Sequence, residues 1–180
     1  MSDKARRGFE TSLTDLTRTS VVLAVASMDT YFTARFAEML VSYLKKHGAK
    51  KSLVETLKNA GLDTTQALEM LQMERPYRRI RSLMDAYLER FTTQRIDVID
   101  ELFLCYGLKD LSVNSQKLAK RKNPIRRVEK IVERRHQIVH AGDLNSHNKL
   151  QDIDPDETKR QIGDLKLFVN SAHQLTLKIK

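Results

Sequence analysis

The sequence predicts an all-helical bundle with a long central first helix and a small helical insert, and three observations carry that reading. Only six glycines and three prolines interrupt 180 residues. No Asn-Gly or Asp-Gly pair occurs, so the usual hairpin signal of a many-turned sandwich or barrel is missing. In most segments the apolar residues recur three and four positions apart, the spacing of one helix face. The length suits a single domain spanning 1–180, large enough for a substantial core.

The first element runs from Ser12 to His47 without Gly or Pro, and Lys45, Lys46, His47 and Gly48 form a helix stop with cations in the last turn. Its middle, from Val21 through Val25, Met28, Phe32 and Phe36 to Leu40, is apolar over most of its circumference, as in a helix surrounded by others. Ser52-Leu-Val-Glu55 reads as a capping box opening a short helix that stops at Gly61, and Thr64 or Thr65 caps another short turn reaching Met73. These two form the insert, expected at the surface. Pro76 then starts a helix carrying Ile80, Leu83, Met84, Tyr87, Leu88 and Phe91, ending near Thr93. Ile96, Val98, Ile99, Leu102, Phe103 and Tyr106 continue at helical spacing to Gly107. After a more polar stretch, Leu108 to Lys122, the pair Asn123-Pro124 opens a helix running to His140, and Ala141-Gly142 ends it. Asp154-Pro155 repeats the cap-and-start pair before a last helix with Ile162, Leu165, Phe168, Val169 and Ala172 on one side.

With 32 Lys+Arg against 23 Asp+Glu the net charge is +9, which favours a polyanionic partner, nucleic acid first among them. The single Cys105 forms no internal disulfide and supplies no multi-Cys zinc site, so a reducing, cytoplasmic setting is expected. The charged opening lacks the apolar core of a signal peptide. Val21 to Tyr31, the most apolar stretch, is broken by Asp29 and falls short of the roughly 20 residues a membrane span needs, so no membrane partner is expected.

The chemistry concentrates late in the chain. Lys117 to Arg135 holds nine basic residues and two acids, a net +7 in 19 residues. That is how an electrostatic footprint for a phosphate backbone looks, with Lys120, Arg121, Lys122, Arg126, Arg127, Lys130 and Arg134 as its RNA-binding candidates. The bland alternative is a solvated basic face. In the helix from Pro124, Val128, Ile131, Val132, Ile138 and Val139 are apolar, and the missing member of the series is Arg135. A guanidinium at a core-facing position is costly unless a carboxylate or a phosphate meets it. If the role is structural, Asp29 is the natural partner.

His136 and His140 share the flank beside Arg135, one turn apart. An imidazole can exchange a proton near neutral pH, and a neighbouring cation can hold a phosphate, so Arg plus His is a minimal set for cleaving RNA. The 2′-hydroxyl is the internal nucleophile, and that chemistry needs no metal or other cofactor. A zinc reading of the two histidines would need a third ligand from His47, His147, His173 or a distant acid, none at motif spacing. Asp143, after the helix-ending Gly142, either orients His140 or serves as a turn residue.

Glu133-Arg-Arg135-His136-Gln-Ile-Val-His140-Ala-Gly142-Asp143 resembles the R-x4-6-H signature of the HEPN superfamily. The flanking Ile131-Val132, and Ser20 to Phe32 in the first helix, are similar to its RiboL-PSP-HEPN branch. The resemblance implies a helical bundle that dimerises so that two motifs face each other and form one composite ribonuclease site. It further implies a metal-independent endoribonuclease leaving 2′,3′-cyclic phosphate and 5′-hydroxyl ends, often a toxin or antiviral effector. By position, Arg135 would bind the scissile phosphate and His140 would act as general base or acid. His136 would position the phosphate or assist proton transfer. Such an enzyme needs restraint by an inhibitor or sensor protein. The rivals are a non-catalytic RNA-binding or adaptor HEPN domain, and a helical interaction module in which Arg135 and Asp29 form an ion pair.

Among the remaining residues, Tyr77, Tyr87 and Tyr106 fall on apolar helix faces and read as core. Arg75, Arg78, Arg79 and Arg81 form a second basic cluster, and Cys105 reads as an inert core thiol.

Overall fold

Eight α-helices account for most of the residues described by the computed structural model, 3–121 and 124–179. They are α1 (Asp3–His47), α2 (Lys51–Asn59), α3 (Thr64–Leu71), α4 (Pro76–Leu88), α5 (Ile96–Leu104), α6 (Leu111–Ala119), α7 (Pro124–Ala141) and α8 (Pro155–Leu177). The only extended pairing among the described residues is an isolated antiparallel bridge between Leu144 and Leu150. None of the described helices is long and apolar enough to cross a membrane.

At 45 residues α1 is about 68 Å long and begins nine positions before Ser12. Val21, Val25, Met28, Phe32, Phe36, Leu40 and Tyr43 are buried and spaced three or four apart, one continuous stripe. In its first half the opposite side is open, with Leu16 and Leu23 exposed, whereas further along Arg35, Phe36, Ala37, Met39 and Leu40 are buried over most of the circumference, as in a central helix. Gly48, at φ +70°, takes the left-handed conformation that ends the helix.

Helices α4, α5, α7 and α8 pack on α1, and α7 and α8 pack on each other. Phe32 sits at the centre, its ring 5.9 Å from Phe103 of α5 and 5.8 Å from Phe168 of α8. All three rings are fully enclosed. Truncating any of them to Ala would cost about 3–5 kcal/mol. The short pair α2 and α3 divides: α2 delivers Leu53 and Leu57 to the shared core, and α3 buries only Met70.

Three further boundaries differ from the sequence reading. α2 already starts at Lys51, and the Ser52 hydroxyl donates to the Cys105 carbonyl (3.3 Å) instead of capping it. The cap of α3 is Asp63, whose carboxylate accepts the Gln66 N–H at 2.7 Å. α4 stops at Leu88, well before Thr93, because the backbone and hydroxyl of Thr93 are taken by Asp29 of α1. The polar stretch after Leu108 contains α6, with Asp100 of α5 accepting the Ser112 N–H at 2.7 Å. Asp154 caps α8 as expected, its carboxylate accepting the Asp156 N–H at 2.8 Å. Lys122 and the cap expected at Asn123 lie outside the described residues.

Candidate functional site

The site is built on α7. Pro124 occupies its first turn, and Val128 and Ile131 are buried against α1 and α8, fixing the helix's rotation. That rotation puts Arg135, one turn on from Ile131, at the end of the buried stripe, partly enclosed. Its Nε is buried without a hydrogen-bond partner, and no described acid pairs with the guanidinium. On the adjoining flank His136 and His140 are exposed, their ring centroids 4.4 Å apart at 43°. Neither imidazole hydrogen-bonds to a described residue, so the two rings in contact and the Arg135 Nε on the neighbouring flank are all uncommitted.

Asp29 does not supply the ion pair considered for Arg135. Its carboxylate accepts the Thr93 N–H (2.7 Å), the Thr93 hydroxyl (2.7 Å) and the Gln94 amide (3.0 Å). Asp29 thereby holds the α4–α5 connection, with both carboxylate oxygens engaged. A long-range pairing of this kind leaves no periodic trace in the sequence.

Asp143 is the turn residue, at φ +59° just beyond the end of α7, and it is buried. Its Oδ2 accepts from Arg18 Nε of α1 and from Arg134 of α7, both at 2.8 Å, its Oδ1 is buried without a partner, and no hydrogen bond joins it to His140. Arg18 also donates to the Gln151 carbonyl at 2.6 Å, and Arg134 to the Gln151 side chain (3.1 Å) and the Asp152 carbonyl (3.0 Å). These bonds close the loop between α7 and α8 and tie it to α1. Sequence reading passed over Arg18, although a signal exists. It stands three positions before Val21 and seven before Val25, in the same buried register of α1, the placement that singled out Arg135.

The basic stretch divides in two. Arg121 and Arg127 both pair with Asp164, a buried carboxylate of α8, at 2.7 and 2.9 Å, and Arg134 is held by Asp143. Lys120, Arg126 and Lys130 are exposed and make no ion pair with a described residue. Three of the seven candidates for phosphate contact thus already serve the fold. The second cluster, Arg75, Arg78, Arg79 and Arg81, is exposed on and beside α4.

A cavity of about 660 Å³ opens beside the histidine flank, lined by Thr92, Gln94, Arg95 and Ile96 on one wall and by Glu129, Val132, Glu133 and His136 of α7 on the other, with Asp97 and Asp100 of α5. Arg95 and Asp97 form an ion pair at its rim, and their mutual hydrogen bond holds the Asp97 carboxyl below its ordinary range and raises the Arg95 guanidinium. No group of three or more His, Cys, Asp or Glu among the described residues is arranged to hold a metal ion. Cys105 is buried, and desolvation pushes its thiol up to about 12, far from the reactive thiolate range. Tyr106 is buried with its hydroxyl donating to the Phe36 carbonyl at 2.8 Å, Tyr87 packs against the core, and Tyr77 is exposed beneath Lys45.

The RiboL-PSP-HEPN family model matches residues 2–177, nearly the whole chain. No curated protein and no solved structure matches it.

Proposed function

This chain belongs to the RiboL-PSP-HEPN family, and on that premise we propose that it is a metal-independent endoribonuclease whose working site is Arg135 with His140 and His136. One observation carries the reading: a guanidinium at the end of a buried stripe, without a carboxylate to meet it, beside two exposed imidazoles in contact. The fold supplies counter-charges to Arg18, Arg127 and Arg134. Its leaving Arg135 without one suits a residue kept for a phosphate that arrives from outside.

In this scheme the Arg135 guanidinium binds the non-bridging oxygens of the scissile phosphate. One imidazole removes the proton of the 2′-hydroxyl, O2′ attacks phosphorus, and the P–O5′ bond breaks. A protonated imidazole delivers a proton to O5′. The products are a 2′,3′-cyclic phosphate and a 5′-hydroxyl, and the electron count closes without a co-reactant. His140 and His136 are the candidates for the base and the acid. Lys120, Arg126 and Lys130, the uncommitted part of the basic stretch, would follow the RNA backbone.

A homodimer belongs to the proposal, because one Arg and two His make a thin site and a symmetric copy doubles the groups available. Val139, Leu144 and Leu150 are exposed around the end of α7, an apolar border for the composite site at a two-fold axis. A nuclease of this kind acts in the cytoplasm as a toxin or antiviral effector, held in check by an inhibitor or sensor protein.

The test is incubation of the full chain with mixed RNA in excess chelator. Cleavage by the wild type, lost in both R135A and H140A with the dimer intact, supports the enzyme. Tight binding without cutting makes the protein an RNA-binding adaptor. No RNA affinity at low salt leaves a helical interaction module.

A further inference from the structure

The cavity beside His136 has a chemistry that phosphate binding does not explain. Glu129 and Glu133 are exposed on its α7 wall and make no hydrogen bond or ion pair with a described residue. Two uncompensated carboxylates repel a phosphate. Between them and α5 the wall is apolar, with Val132 and Ile96, and the His136 ring closes the end nearest the candidate catalytic group. Across from α7, the Gln94 amide nitrogen is used by Asp29, which leaves its Oε1 as an acceptor. The volume falls within the roughly 300–1,000 Å³ of ligand cavities. What fits is a flat, neutral group with apolar faces and an edge rich in N–H donors.

We propose that this cavity is a nucleobase pocket serving the nucleotide beside the scissile phosphate, and that Glu129 and Glu133 select a base with an N–H donor edge, guanine above all. Guanine presents N1–H and N2–H side by side, matching the two oxygens of one carboxylate. Uracil presents a single N–H between two carbonyl oxygens, which a carboxylate repels. A base between Val132 and Ile96 places its sugar and phosphate beside His136 and His140, one and two turns further along α7. An arginine-rich peptide would satisfy the carboxylates but would leave the apolar walls unmatched.

The word scissile rests on the ribonuclease reading, so the test separates the two. Full-length protein is titrated with guanosine and with uridine, nucleosides that carry no phosphate, while the Val132 methyl and His136 ring signals are followed by NMR. Cleavage of oligoribonucleotides with each base at the cut is mapped in parallel. Guanosine should bind about tenfold more tightly than uridine, with the same bias in cleavage, and E129Q/E133Q should shrink that bias to under about twofold while the protein stays folded. Guanosine binding without cleavage by the wild type keeps the pocket and overturns the nuclease. Cleavage with equal use of all four bases, a bias unchanged in E129Q/E133Q, or an arginine-rich peptide shifting these signals where guanosine does not, overturns the pocket.

Discussion

Arg134 and Arg135 are neighbours on α7 and meet opposite fates. Arg134 points to the α8 side, where it holds Asp143, Gln151 and Asp152. Arg135 lies at the end of the buried stripe, with its Nε bare and two open imidazoles on the next flank. The first arginine is consumed by the fold, and the second is withheld from it. A helix rotates successive side chains by about 100°, so adjacent residues of identical chemistry can serve stability and function separately. On this account, damage to the Arg134 side reads out as lost stability and damage to the Arg135 side as lost activity.

The largest stability effect is expected at Asp143. Asp143→Asn keeps a side chain that tolerates the left-handed backbone but removes the charge shared by two guanidiniums, leaving the buried Arg18 only the more distant Asp15 at 3.7 Å and the partly buried Arg134 no carboxylate. Urea unfolding should show a loss of about 3–5 kcal/mol. Next comes Arg134→Ala, which removes one cation and leaves Arg18 on the carboxylate, with an expected loss of about 1.5–3 kcal/mol. Asp29→Ala leaves the Thr93 N–H without its acceptor, the Thr93 hydroxyl keeping the residue-29 backbone carbonyl at 2.9 Å, and should cost about 1–3 kcal/mol while loosening the Gln94 wall of the cavity. If Arg134→Ala proves neutral, the division between the two arginines is drawn in the wrong place.

Cys105 provides a control that tells the two sides apart. Its buried thiol, raised to about 12, should resist alkylation at pH 8 in the wild type. Reaction then reports opening of the core, so the labelling rate should climb in Asp143→Asn and stay at the wild-type value in Arg135→Ala.

The bundle was legible because its signals are local. Pro124 as a first-turn residue, the Asp-Pro start of α8, Gly48 as a stop and the three-and-four spacing along α1, α7 and α8 all act within a few residues. The failures share the opposite property. Asp29 and Thr93 are 64 positions apart, and Arg18 and Asp143 are 125 apart. Which acid meets which cation is decided by tertiary packing, and a sequence shows only that a charge sits in an apolar register. The anomaly of Arg135 was therefore visible, and its lack of a partner was not. Ser52 illustrates the same limit at short range: its capping pattern is present, but α2 starts one residue earlier, so Ser52 lies inside the helix and its hydroxyl donates to the Cys105 carbonyl.

The most direct measurement compares Arg134→Ala with Arg135→Ala in one assay, following chelator-resistant cleavage of an end-labelled RNA alongside the unfolding free energy. Arg135→Ala should abolish cleavage, leave stability within about 0.5 kcal/mol of wild type, and resist rescue by added Mg²⁺. Cleavage persisting in Arg135→Ala, or lost there only together with the fold, would contradict it.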